Sequence, residues 1–226
     1  MIRLNIVVEG QTEETFAEEL LGDDLGSRGV IVAAHRITTS RGAGRVFRGG
    51  FVTYSHLRRD LDRWRRQEQA ADVRFSTMVD LYKLPSDFPG FQESRLERDP
   101  IRRAELLESA FADDIGDRRF IPYIQVHEFE ALLFSNVDAF SASFPGRVEK
   151  VAELSRAREG AHGPEYIDDG PETSPAKRIK AVFSDYEKVT AGVQIARRVG
   201  LDEMQRQCSH FGAWLETLRA LTQTSA

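Results

Sequence analysis

One cysteine, Cys208, stands in the whole sequence. An internal disulfide is therefore excluded, and a cysteine-based zinc site would need ligands from another chain. Long apolar runs are also missing: none approaches the eighteen or so residues that cross a bilayer. The N-terminal apolar run carries one Arg and stops at Glu9, so it reads as a strand and not as a secretory leader. Walker and Rossmann glycine patterns are absent, and neither an internal repeat nor a low-complexity stretch interrupts the chain. These absences point to a cytoplasmic protein with no membrane contact.

What is present suits a folded α/β protein. The 226 residues are 41% hydrophobic and 30% charged, enough for one large domain or a domain with an appended subdomain. A net charge of −5 argues mildly against a bulk polyanion binder. That average hides a basic segment with nine arginines, at 36, 41, 45, 48, 58, 59, 63, 65 and 66, against Asp60 and Asp62. Two readings of it stay open: a track for polyanions, or the solvated face of an Arg-rich helix.

RLNIVV is short, β-branched and apolar, as a buried strand requires. TEETFAEELLGDD follows as a helix, with Thr12 as its expected N-cap and Glu13 and Glu14 in the first turn. VIVAAHRI is the next strand, and TTSRGAGRVFRGG a loop or hairpin. YSHLRRDLDRWRRQE carries Leu57, Leu61 and Trp64 at helical spacing. VRFSTMVDLY is a third strand ending at Asp80. Asp99-Pro100 opens a helix, Asp as cap and Pro in the first turn. FIPYIQV forms a fourth strand that enters HEFEALLFS directly as a helix. Beyond residue 137 the pattern is helical with interruptions. Strands alternating with helices predict an α/β, three-layer sandwich with a mostly parallel sheet and a helical C-terminal extension. The expected division is a core over 1–136 and an extension over 137–226.

Three acidic positions share a setting. Glu9 ends the first strand, Asp80 ends a later one, and Glu128 and Glu130 follow another. Ligands of open parallel sheets bind outside the carboxyl ends of the strands. Carboxylates brought together there need protons or a divalent cation, and hard oxygen donors suit Mg²⁺ or Mn²⁺. Each residue also has a plain reading: Glu9 and Glu13 as acids at a helix N-terminus, Asp80 as a loop cap, His127, Glu128 and Glu130 as surface residues. In a continuous helix His127 and Glu130 share a face, while Glu128 points about 100° away. The Cys208-x-His210 pair reads as packing around Phe211 and Trp214.

VVEGQTEE looks like the first motif of the TOPRIM fold. The set VEGQTEE, MVDLYKLPSDFPG, VHEFEALLFS, SPAKRIK, YEKVTAGVQIARRVGL and CSHFGAWLETL resembles a family of TOPRIM-like proteins, the domain of unknown function 4276, nearly end to end. TOPRIM domains of topoisomerases, primases and overcoming-lysogenization-defect nucleases hold Mg²⁺ for phosphoryl transfer with a strand-one Glu and a DxD motif. The resemblance implies these roles for Glu9 and Asp80, and makes Glu13 the extra acid of the nuclease branch. The second DxD position is Tyr82, a poor Mg²⁺ ligand. Glu128, Glu130 or Asp87 would have to replace it, or metal chemistry has weakened.

The implied metal ligands are thus Glu9, Asp80, Glu128 and Glu130, with Glu13 beside them in a catalytic set. The expected nucleic-acid contacts are Arg41, Arg45, Arg48, Lys177 and Lys188. Expected partners are DNA or RNA and, by resemblance to proteins of anti-phage loci, a separate SMC-like or AAA-type ATPase; a homo-oligomer stays open. Three functions compete: a metal-dependent nuclease, a non-catalytic nucleic-acid or partner-binding module, and phosphoryl transfer on a small nucleotide.

Overall fold

The apolar run at the N-terminus alternates between two cores. The computed structural model describes residues 1–42, 45–48, 53–167, 170 and 173–223, with the side chains of 39–42 and 45–48 outside the description. In β1 (Ile2–Val8), Ile2, Leu4, Ile6 and Val8 face one hydrophobic core and Val7 faces the other. A strand covered on both sides is a central one, and its near-continuous apolar sequence follows from that. β1 pairs in parallel with β2 (Val30–Arg36) on one side and β5 (Val73–Asp80) on the other, in register Val8↔Arg36 and Val8↔Met78. Between them in sequence, β3 (Thr38–Gly42) and β4 (Arg45–Arg48) form a separate antiparallel hairpin. Among the described residues, every pairing in the main sheet is parallel.

The first core lies under α1, the helical segment 11–26, and the C-terminal helices; the second lies under α2 (Tyr54–Gln67) and α3 (Pro100–Ile115). This is the expected three-layer arrangement. Residues 137–223 supply most of one layer: Phe183, Ile195, Phe211, Trp214 and Leu218 share a core with Ile2, Leu4 and Ile6. Asp99 caps α3 as expected, accepting from the Ile101 and Arg102 amides at 2.9 and 3.0 Å. Among the described residues, no helix is long and apolar enough to cross a membrane.

Two expectations change. Thr12 does not cap α1. The chain turns from Gly10, in extended conformation, into Gln11, and Thr12 is buried within the first turn. The fourth strand is not continuous either. It breaks into β6 (Phe120–Ile121) and β7 (Ile124–Gln125), both paired to β5 in the same register, Ser76↔Ile121 and Val79↔Ile124. Pro122 has no amide hydrogen for the ladder. Thr77 fills the gap: its Oγ1 accepts from Tyr123 N at 3.1 Å and donates to Tyr123 O at 2.9 Å. Ser76 does the same one residue earlier, donating to Ile121 O at 2.6 Å while accepting from the indole of Trp214 at 3.0 Å. The sheet edge is thus held by side chains where main chain cannot hold it.

Tyr123 also anchors the C-terminal layer. Its ring stacks on Trp214 at 4.1 Å and on His210 at 5.4 Å. These belong to α9 (Ser209–Arg219), whose first turn is capped by Glu165 through the His210 and Phe211 amides, both at 3.0 Å. Cys208 is buried against Ser135, in line with its expected packing role. His210 Nε2 meets Glu108 at 3.0 Å. Burial works against the imidazolium, but the Glu108 hydrogen bond and charge, with Glu165 behind them, raise its pKa above the ordinary value.

Two outcomes follow. Replacing Thr77 by Val leaves the Tyr123 amide and carbonyl unmatched in a dry place and should cost about 2 kcal/mol in chemical denaturation. A raised histidine pKa stabilises fully below its unfolded value, near 6.5, and that contribution is lost as pH rises through the folded value. The stability gap between wild type and His210→Gln should therefore be widest below pH ~6.5 and narrow above it, read as melting temperature against pH.

Candidate functional site

Three short segments meet at the carboxyl ends of β1 and β5. Glu9 follows β1, and its amide stays tied to the sheet by donating to Met78 O at 3.3 Å. Asp80 ends β5 on the face of Met78, the face covered by α1 and the C-terminal layer. The third segment leaves β7 by an abrupt turn. His127 has φ of 59°, a left-handed conformation uncommon outside glycine. Its carbonyl accepts from Tyr82 N at 3.1 Å, and its Nε2 lies 3.0 Å from Glu165 O. The turn aims the Phe129 amide at Asp80 Oδ1, at 3.1 Å.

The helix expected over HEFEALLFS accordingly begins later, with α4 at Glu130–Leu133, and His127 is not its i−3 neighbour on one face. The turn also separates the two glutamates. Glu128 Oε1 accepts from Ala176 N at 2.6 Å, at the start of α6 (Pro175–Val182). Glu130 points the other way, into the space beside Asp80.

Four buried carboxylates gather there: Glu9, Glu13, Asp80 and Glu130, exposed by 6%, 3%, 1% and 1%. Two lysines thread between them. Lys83 Nζ lies 3.1 Å from Glu9 Oε1 and 3.4 Å from Asp80 Oδ2. Lys188 Nζ lies 3.0 Å from Glu13 Oε1, 3.2 Å from Glu130 Oε2 and 3.9 Å from Asp80 Oδ2. The contacts to Glu13 Oε1 and Glu130 Oε2 are charge approaches without hydrogen-bond geometry, and Glu9 Oε2 is buried with no hydrogen bond among the described residues. The Tyr186 hydroxyl donates to Glu130 Oε1 at 3.5 Å. Two glycines make room: a Cβ on Gly10 would stand 3.0 Å from Glu13 Oε2, and one on Gly192 would stand 2.7 Å from the Tyr186 hydroxyl.

The electrostatics describe a place short of positive charge. Burial pushes the Asp80 carboxyl well above its ordinary range; Lys188 and Lys83 pull it down, and Glu9 and Glu13 push it up. Burial likewise raises Glu130 against the pull of Lys188. Both lysines are raised, because the carboxylates outweigh the burial that would otherwise favour their neutral forms. Acids that resist ionisation beside lysines that hold their protons indicate an excess of negative charge.

Other expected residues fall elsewhere. Tyr82, at the second DxD position, is 47% exposed. Asp87 accepts from Tyr54 N at 3.0 Å at the start of α2, so it does not reach the cluster. Lys188, expected as a phosphate contact, is a counter-ion inside the site. Lys177 is exposed. The side chains of Arg41, Arg45 and Arg48 lie outside the described residues. Arginines of α2 have internal partners: Arg58 pairs with Asp62 and Asp114, Arg65 with Asp62 and Asp117, and Arg66 donates to Asp62 O. These three arginines are thus engaged within the chain. Lys83 and Tyr186 were not among the expected residues, though both lie in stretches that carried the family resemblance, MVDLYKLPSDFPG and YEKVTAG.

A divalent ion can be weighed against these donors. All are hard carboxylate oxygens, and a buried oxygen with no hydrogen bond among the described residues, Glu9 Oε2, lies among them, so the donor chemistry fits Mg²⁺ or Mn²⁺. As the side chains stand, no three His, Cys, Asp or Glu among the described residues are grouped to hold a metal. The lysine ammoniums occupy the space between the carboxylates.

Together these features define a three-layer α/β protein with an acid–lysine cluster at the carboxyl edge of its parallel sheet. Residues 8–219 match the model of the domain of unknown function DUF4276, and the chain belongs to that family. Among solved structures, it is similar to the C-terminal region of the Xanthomonas campestris pv. campestris OLD protein. One such structure, phased with mercury, aligns over 100% of this chain and 99% of its own at 15% identity, with a TM-score of 0.45. A second, phased with iodine, covers 99% and 98% at 15% identity, with a TM-score of 0.43. Comparison with curated proteins returns no significant match.

Lys188 is the counter-ion shared by Glu13, Asp80 and Glu130. Its replacement by Met should destabilise the metal-free protein by about 3 kcal/mol at neutral pH, because carboxylates are left buried without a partner. The deficit should shrink as pH falls into the carboxylate range, measured by urea denaturation in the presence of a chelator.

Proposed function

We propose that the protein is a metal-dependent phosphodiesterase that cleaves DNA or RNA, with the strand-end cluster as its active site. The observation that carries this reading is the gathering of Glu9, Glu13, Asp80 and Glu130 in one buried place, with Glu9 Oε2 left without a hydrogen bond among the described residues. Fixing mutually repelling acids in a dry crevice costs stability, and a fold keeps such a cost where the charge is used. The position, outside the carboxyl ends of parallel strands, is where such sheets bind ligands.

In this reading Glu9, Glu13, Asp80 and Glu130 hold Mg²⁺ or Mn²⁺, which supplies Lewis-acid polarisation of a phosphoryl oxygen and a more acidic water. The remaining work belongs to the chain. Phe129 N and the Lys188 ammonium orient Asp80 and favour its ionised form against the burial that opposes it. Glu128 serves the site indirectly, by fixing the start of α6 next to the turn that presents Glu130. The half-exposed Lys83 offers charge at the mouth of the crevice, where a phosphodiester would arrive. Arg41, Arg45 and Arg48 of the β3–β4 hairpin and the exposed Lys177 are the proposed contacts to flanking phosphates. A separate SMC-like or AAA-type ATPase belongs to the same reading as its partner.

A second reading, a non-catalytic nucleic-acid or partner-binding module, is favoured by the two lysines among the carboxylates and by the outward Tyr82. Calorimetric titration with Mn²⁺ and cleavage of labelled DNA and RNA separate the two. The nuclease reading expects Mn²⁺ binding at millimolar concentration or below, and metal-dependent cleavage abolished in the double variant Glu9→Ala, Asp80→Ala. Absence of Mn²⁺ binding favours the module, and cleavage that survives the double variant places the activity elsewhere.

A further inference from the structure

Lys83 sits just past the carboxyl end of β5, beside Asp80. Tyr82 turns to solvent, and the next residue turns in. A short helical turn, Leu81–Lys83, follows β5 directly and brings the lysine back over Asp80 three residues earlier. Its ammonium donates to Glu9 Oε1 at 3.1 Å and to Asp80 Oδ2 at 3.4 Å. These two carboxylates end adjacent strands, so a cation bridging them is held from both sides.

Charge gives a second line of argument. Four carboxylates, Glu9, Glu13, Asp80 and Glu130, face two ammoniums, Lys83 and Lys188. An ammonium held between two carboxylates repels a second cation brought to the same two groups. Two divalent ions working as a pair lie about 3.5–4 Å apart. A second one bridging Glu9 and Asp80 would collide with the ammonium already there.

We propose that Lys83 is a resident cation: it occupies the bridge between Glu9 and Asp80, and the site therefore takes one divalent ion and not two. The inference rests on the metal-binding reading above and adds its stoichiometry. Lys83 here is a positioning residue that sets how many ions the carboxylates accept. The single ion is then held by the remaining carboxylate oxygens, Glu9 Oε2 among them.

The test is calorimetric titration of the full chain, stripped of metal, with MnCl₂, for wild type, Lys83→Met and Lys83→Arg. Bound Mn²⁺ is counted independently by electron paramagnetic resonance. The expected result is one Mn²⁺ per chain in wild type and in Lys83→Arg. Lys83→Met should bind a second Mn²⁺ or bind the first at least about tenfold more tightly. Melting without metal is the second measurement: Lys83→Met should melt lower than wild type and gain more from Mn²⁺. Binding by Lys83→Met where wild type binds none overturns the count of one ion per chain. Two ions per chain in wild type, or a Lys83→Met variant equal to wild type in number, affinity and melting, overturns the inference and leaves the nuclease reading standing. Failure of every form to bind Mn²⁺ overturns both.

Discussion

The carboxylate of Asp80 is the point on which the architecture closes. It is 1% exposed, and it receives the Phe129 amide, the Lys83 ammonium and the longer approach of Lys188. Each partner comes from a different part of the chain: the turn after β7, the turn after β5, and the C-terminal layer. A buried carboxylate must be satisfied or protonated. That single demand orders the left-handed turn at His127, the inward path of Lys83 and the seating of the segment that carries Lys188. Glu9 and Glu13 add charge that tightens the hold on both lysines and strains Asp80 further. The arrangement combines local cost with global organisation, as buried polar networks do when their members are matched.

The matching is carried outward through hydrogen bonds. His127 and Glu165 are linked through the Glu165 carbonyl, and Glu165 caps α9, which stacks His210 and Trp214 around Tyr123. Tyr123 is in turn held by Thr77, three residues before Asp80 on β5. The path from Asp80 therefore returns to its own strand through the whole C-terminal layer. Helices that look in sequence like an appendix share one hydrophobic core with β1 and contribute a charge to the site.

Much of this was legible beforehand, for definable reasons. Glu9 and Asp80 stand out because apolar strands run straight into them, and a parallel sheet gathers strand ends on one edge. Glu13 is implied only by the family resemblance, since its spacing suits an ordinary acid in a first helical turn equally well. The choice between Glu128 and Glu130 was not legible, because it hangs on a left-handed histidine that no periodicity announces. The break in the fourth strand was visible as Pro122, yet its repair by Thr77 and Ser76 was not, since hydroxyl bridges follow from register and not from local sequence. Lys83 and Lys188 were hidden by the habit of seeking acids for a metal site and reserving lysines for phosphate. Arg58, Arg65 and Arg66 showed the opposite problem: prominent in sequence as a basic cluster, they are consumed by Asp62, Asp114 and Asp117.

The distance along the chain between Asp80 and Lys188 has a consequence for how the molecule is made. On a ribosome, Glu9, Glu13, Asp80, Lys83 and Glu130 all emerge before Lys188. For that interval the nascent chain carries an acidic crevice with only Lys83 to balance it, and an open sheet face awaiting Phe211 and Trp214. Closing contacts between residues so far apart is slow relative to local structure. The N-terminal half therefore stays electrostatically and hydrophobically incomplete until the C-terminal helices dock on it, and the same docking completes both the core and the charge of the site.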